Sequence, residues 1–231
     1  MDRGSRRSIR RNCCLQPIRS KVRVDADRTC APKGIQVATV MKNKQPLRPL
    51  LQDAGIIPAI RKPELLDRAL AAHGKLIYLL CGDPENIGDL LRRTLEVGKL
   101  PIVNIDLVSG LSRDQHALSY VEKRGAKGII STHGETLRQA QSLGLYIIQR
   151  TFLLDSGAME NICHQMKNSP ADALEVLPAV AAPKLVHRIS SIASDIALVG
   201  GGLISSMREV EDLLAQGLTA VSISDPQLWI A

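Results

Sequence analysis

The stretch ALVGGGLISS (residues 197–206) runs from an apolar segment through three glycines into two serines of the kind that open a helix. Glycine lets backbone N–H groups approach an anion with no Cβ in the way. A helix opening near Ser205 would aim its positive dipole end at the same spot. Two readings are open, a phosphate seat built around Gly201 and Gly202, or a tight turn packed against a neighbour. Ser222 and Ser224, at the end of a later apolar run, could add hydroxyl donors to such a seat. Two carboxylates and two guanidinium groups stand at comparable ends of other runs. Asp106 could accept hydrogen bonds from ligand hydroxyls or cap its own loop. Glu175 shares parity with Ala173 and Leu177, and Leu174 and Val176 take the opposite face. An inward carboxylate needs a cationic or hydroxyl partner, because a lone buried charge is costly. Arg61 and Arg150 are the candidates by level, and a structural ion pair or ligand binding would explain them equally well. Of the five histidines only His133 follows a strand end, where a solvated helix start is the ordinary role and a catalytic base the rarer one. No Walker motif, nucleophile elbow or metal-ligand spacing occurs, so no catalytic residue, metal or cofactor is expected.

These groups are positioned by an alternation that can be counted to eight. Short apolar runs occupy residues 55–60, 75–80, 100–106, 127–132, 145–150, 173–178, 195–200 and 219–224, separated by helical stretches. Asp83-Pro84 reads as a helix start, Ser112 with Gln115 and Ser206 with Glu209 have capping-box spacing, and Gly74, Gly98, Gly125, Gly144 and Gly217 fall where left-handed C-caps belong. Nearly continuous apolar runs imply strands covered on both faces, as in a parallel sheet clothed by helices. Eight such units in this length predict a compact (β/α)8 TIM-type barrel rather than an open doubly wound sheet, which would want G-x-G-x-x-G in its first turn. The last helix must be short or missing, with Trp229 plugging the gap. In such barrels function gathers at the C-terminal ends of the strands, and the loops after strands seven and eight are the habitual phosphate seat.

The net charge of +7 is unevenly placed. Residues 1–48 hold 13 Lys/Arg against 3 Asp/Glu, leaving 17 against 20 for residues 49–231. The basic segment lacks a sustained period and reads as a disordered tail ahead of a barrel domain at 49–231. An RNA-binding arm, a targeting sequence and an upstream start codon, with the natural beginning near Met41, are all open. Five cysteines without C-x-x-C spacing point to a reducing cytoplasm, and no apolar run is long enough for a membrane span. At 2% aromatic content the chain has no stacking platform for bases.

With its strands placed, the chain resembles the glycerol-3-phosphate-responsive antiterminators of bacterial glycerol-uptake operons. The likeness is carried by IIPAIR (56–61), IDLVSGLS (105–112), GIIST (128–132), IIQRTFLLDSGAMEN (147–161), EVLP (175–178), GGLI (201–204) and LW (228–229). The resemblance implies a regulator that binds glycerol-3-phosphate and acts on leader mRNA, letting transcription pass a terminator, without turnover. Gly201, Gly202 and Ser224 would then hold the phosphate, and Asp106, Arg150 and Glu175 would line the pocket. Asn104 stands where the family often has histidine, His133 where a basic residue follows, Ala179 in place of glycine and Asp225 in place of asparagine. The alternative is a phosphate-binding barrel enzyme acting on a glycerol-phosphate-like substrate, with Asp106 or Glu175 as acid or base. A homodimer is left open.

Overall fold

The computed structural model describes residues 44–169 and 171–229. Eight parallel strands form a closed barrel in chain order. They are β1 (Ile56–Ile60), β2 (Leu76–Leu79), β3 (Leu100–Asn104), β4 (Gly128–Ser131), β5 (Tyr146–Phe152), β6 (Ala173–Leu177), β7 (Ala197–Gly201) and β8 (Ala220–Ile223). β8 returns to β1 with Ile57 opposite Ser222, so no sheet edge is left open. This excludes the open doubly wound sheet and bears out the eightfold count.

The strand parity sorts side chains into two cores. Inside the barrel lie Ile57, Tyr78, Ile102, Ile130, Ile148, Ala173, Ala197 and Ala220, with α1 (Leu47–Ala54) closing the N-terminal end through Leu47, Leu50 and Leu51. Large residues on β2 to β5 fill the space left by alanines on β6 to β8, the large-against-small packing a narrow barrel requires. Outside, α2 (Leu66–Ala71), α3 (Ile87–Glu96), α4 (Gln115–Lys123), α5 (Gly134–Ser142), α6 (Ser156–Asn168), α7 (Val186–Ile192) and α8 (Met207–Ala215) bury their apolar stripes against the other strand face. The five glycines expected at C-caps all have positive φ. At Gly74, a Cβ would also stand 2.8 Å from that of Ala54.

Where an eighth outer helix would follow β8 there is only a 3-10 turn, Pro226–Leu228. Buried Trp229 fills the gap, its indole N–H donating to the Ile223 carbonyl at 2.8 Å. Residues 1–43 of the basic tail lie outside the described residues. Residues 44–48, grouped with that tail in the sequence, belong to the barrel floor. Lys44 donates to Asp172 and to the Leu145 carbonyl, and Arg48 to the carbonyls of Ser194 and Ile196.

Two helix starts differ from expectation. Asp83 folds a turn of its own, accepting from the N–H of Glu85 and Asn86, and α3 opens only at Ile87. Asp114, not Ser112, caps α4 by accepting from Ala117 N–H at 2.9 Å. The Ser206–Glu209 capping box at α8 is present as expected.

Candidate functional site at the barrel mouth

Immediately below the C-terminal mouth, β5 and β6 set Arg150 directly opposite Glu175. The Arg150 Nε donates to Glu175 Oε2 at 2.6 Å, and the Ser222 hydroxyl donates to Oε1 at 2.6 Å. The carboxylate is fully buried and Arg150 is 10% exposed, so the pair is shielded from water. Of the two arginines matched by level, Arg150 takes the carboxylate. Arg61 stands exposed at the end of β1, the strand beside β8, with no ion-pair partner among the described residues.

Gly201 is the reason this network fits. A Cβ there would stand 2.7 Å from Ser222 Oγ and 3.1 Å from Glu175 Oε1. Tyr78, hidden in an apolar run and missed as a polar group, lies in the same interior. Burial first, and then the charge of Glu175, push its phenol well above the usual value, with Arg150 opposing. Its hydroxyl and the Asn104 side-chain N–H2 are buried without a partner among the described residues. The signal that could have found Tyr78 is its parity with inward Leu76.

Above the network the chain leaves β7 in a left-handed turn. Gly202 has φ 76° and Leu203 φ 59°, the latter the one non-glycine residue with positive φ among the described residues. Such a conformation in a residue with a Cβ stores about 1–2 kcal/mol and clusters at ligand sites. The N–H groups of Gly202, Leu203 and Ile204 meet no acceptor among the described residues. Successive free amides in this kind of turn form an anion-binding concavity. Ser224, at the end of β8, is exposed. The amides of the two serines just before α8 are less available than the sequence suggested. Glu209 accepts from the N–H of Ser205 at 2.7 Å and of Ser206 at 3.3 Å, so the capping box occupies the two amides that lead into α8. The amides of residues 202–204 lie outside that box. Outside the barrel, Leu203 and Ile204 border a groove of about 210 Å³ that also presents Glu209 and Asp212, a poor place for an anion.

Asp106 is held from several sides. The Ser131 hydroxyl donates to Oδ1 at 2.8 Å, and the N–H and hydroxyl of Thr132 donate to Oδ2 at 2.7 and 3.0 Å. Burial pushes its carboxyl up. The hydrogen bonds from Thr132 and Ser131, with His133 nearby, outweigh that and leave it below the ordinary value. His133 lies 3.4 Å from Asp106 and 2.9 Å from an Arg113 nitrogen, which the sequence did not single out. Asn104 accepts from Asp106 N–H at 3.0 Å and so braces this corner. Asp225 caps the last turn by accepting from Gln227 N–H at 2.9 Å. Gln149 points outward, toward the Thr132 carbonyl, away from the mouth. Cys81 also takes the outer parity of β2, and burial pushes its thiol up to about 11.

A closed barrel of eight parallel strands alternating with helices defines a TIM-type α/β protein, a class in which the loops after β7 and β8 commonly seat phosphate. Comparison with known sequences narrows this: residues 56–229 match the glycerol-3-phosphate responsive antiterminators, and the chain belongs to that family. It is 27% identical over 185 residues to the uncharacterized protein YgcP of Escherichia coli, covering 80% of this chain and 96% of that one. The crystal structure of a glycerol uptake operon antiterminator regulatory protein from Listeria monocytogenes superposes with a TM-score of 0.69 at 28% identity, covering 76% of this chain and 94% of that one. A glycerol uptake operon antiterminator-related protein from Thermotoga maritima gives 0.69 at 30%, covering 76% and 97%.

Proposed function

We propose that this chain is a cytoplasmic transcription antiterminator that senses glycerol-3-phosphate and binds the leader RNA of glycerol-utilisation genes. The observation that carries the ligand half is the run of three unclaimed amides at Gly202, Leu203 and Ile204, in a left-handed turn between β7 and α8. In this reading they hold the phosphate, Ser224 adds a hydroxyl, and Arg61 supplies a mobile cation from the neighbouring strand. The glycerol end faces the guanidinium of Arg150 and the edge of Asp106. Gly201 and Ser222 serve beneath, keeping Glu175 fixed so that Arg150 is oriented upward.

The same geometry favours sensing over turnover. Both oxygens of Glu175 are engaged, and Asp106 is held ionised by donors on each oxygen. A general acid or base needs an oxygen free to exchange its proton with the substrate, and on both carboxylates each oxygen already accepts from a protein donor. Regulation then works by differential affinity: glycerol-3-phosphate favours the RNA-competent state, because a ligand that binds both states equally shifts nothing.

Leader-RNA gel shifts with and without glycerol-3-phosphate, alongside phosphorus NMR of the incubated ligand, test this. Ligand-dependent retention with the ligand unchanged is expected. Conversion of the ligand would replace the sensor with an enzyme, and retention indifferent to the ligand would remove the sensing step.

A further inference from the structure

At the opposite end of the barrel, the turn into each of three consecutive strands ends in lysine: Lys75 before β2, Lys99 before β3 and Lys127 before β4. Lys99 turns inward and donates to the carbonyls of Ala72 and Gly74 at 2.6 and 2.5 Å, the ordinary use of a cation at a helix C-terminus. Lys75 and Lys127 are exposed and have no side-chain hydrogen bond or ion pair among the described residues. They border an open cavity of about 420 Å³ together with Lys44 and Tyr146, and no carboxylate lines it. Lys44 is anchored by Asp172 at 2.9 Å and lies 3.9 Å above the Tyr146 ring. Lys44 has its counter-charge, but Lys75 and Lys127 have none among the described residues, and two uncompensated ammonium groups on one cavity favour an anion there.

We infer that this N-terminal face is where the protein holds the phosphate backbone of single-stranded RNA, an assignment that rests on the RNA-binding reading above. The argument is charge complementarity and chain direction. Lys75 and Lys127 stand two strands apart, roughly 10 Å at about 4.8 Å per strand, a gap that a flexible single strand bridges between backbone phosphates. The chain enters this face at Lys44, and the residues before it, 1–43, carry 11 Lys/Arg against 3 Asp/Glu. Contact here tracks phosphates and does not read bases. Tyr146 is 8% exposed, its hydroxyl is spent on the Gln45 carbonyl and its ring is covered by Lys44, so no aromatic face is free for stacking. The ligand mouth and the RNA face are thus opposite ends of one barrel, and the strands between them are the path by which one could influence the other.

The test is fluorescence anisotropy of the full chain with labelled leader RNA across a salt series, comparing wild type with Lys75→Ala/Lys127→Ala and the charge-keeping Lys75→Arg/Lys127→Arg. Each lost phosphate contact lowers the log–log salt slope by about 0.7 for a single strand, so the alanine pair should lower it by about 1.4 and weaken binding roughly tenfold at 0.15 M salt. The arginine pair should keep wild-type behaviour, and both should bind glycerol-3-phosphate as wild type does. If wild type binds the RNA and the alanine pair matches it in slope and affinity, this face is the wrong one and RNA binding itself stands. If wild type binds no RNA with or without glycerol-3-phosphate, or prefers polyglutamate, both inferences are overturned.

Discussion

Removing one member of the Arg150–Glu175 pair should be far more damaging than removing both. Glu175 is fully buried and Arg150 is 10% exposed, so Glu175→Leu strands a guanidinium with no counter-charge and frees the Ser222 hydroxyl that donates at 2.6 Å. Breaking such a pair from one side costs about 3–5 kcal/mol, and replacing both partners by apolar residues of similar volume is close to neutral. For a chain of this size each kcal/mol moves Tm by roughly 2–4 °C, so either Glu175→Leu or Arg150→Met should lower Tm by about 6–20 °C. The combined variant should recover most of that loss. Trp229 is the sole tryptophan and is buried, so its emission reports the transition directly. Additive losses, with the double variant as unstable as the two singles together, would refute the claim that the two charges exist for each other.

Gly202→Val should abolish glycerol-3-phosphate binding in calorimetry and lower Tm by only a few degrees. The added side chain meets ordinary contact at 3.6 Å from Leu177, and its strain comes from the positive φ; unchanged affinity would remove the proposed seat. Cys81, pushed up to about 11, should resist alkylation at pH 8 in peptide mapping and react only as pH approaches that value; rapid labelling at pH 8 would refute a thiol raised by burial. Asp106 is held below the ordinary carboxyl value, so its contribution to stability is complete above the unfolded value of about 3.9 and is lost as pH falls through the lower folded value. The stability gap between wild type and Asp106→Asn should therefore narrow below pH 4, and a gap independent of pH would contradict this assignment.

Much of the fold was legible because it follows from local chemistry. Buried parallel strands leave apolar runs, and left-handed C-caps leave glycines, so each of the eight strands and five glycine turns could be placed within about two residues. Helix starts were less legible where several polar residues crowd together. Ser112 and Asp114 are both competent caps, and the carboxylate, the stronger acceptor, takes the role. Asp83 is a capping residue by type but closes a separate turn. The site was legible as a set of residues and not as a set of partners, since pairing depends on register. Arg61 and Arg150 look equivalent along the chain, and only the alignment of β5 with β6 sets Arg150 against Glu175. Asp106 could not be assigned to Ser131 and Thr132 before β3 was placed beside β4. The reach of Glu209 to the amides of Ser205 and Ser206 is implicit in the capping box, yet its consequence, that these two N–H groups are spent while those of residues 202–204 have no acceptor among the described residues, emerges only when each N–H is traced to its acceptor.

The most direct measurement is a crystal structure with glycerol-3-phosphate bound. Phosphate density within hydrogen-bond distance of the N–H groups of Gly202, Leu203 and Ile204, with the glycerol end toward Arg150, is the expected result. Density at another strand end, or an empty turn after β7 at saturating ligand, would contradict the account.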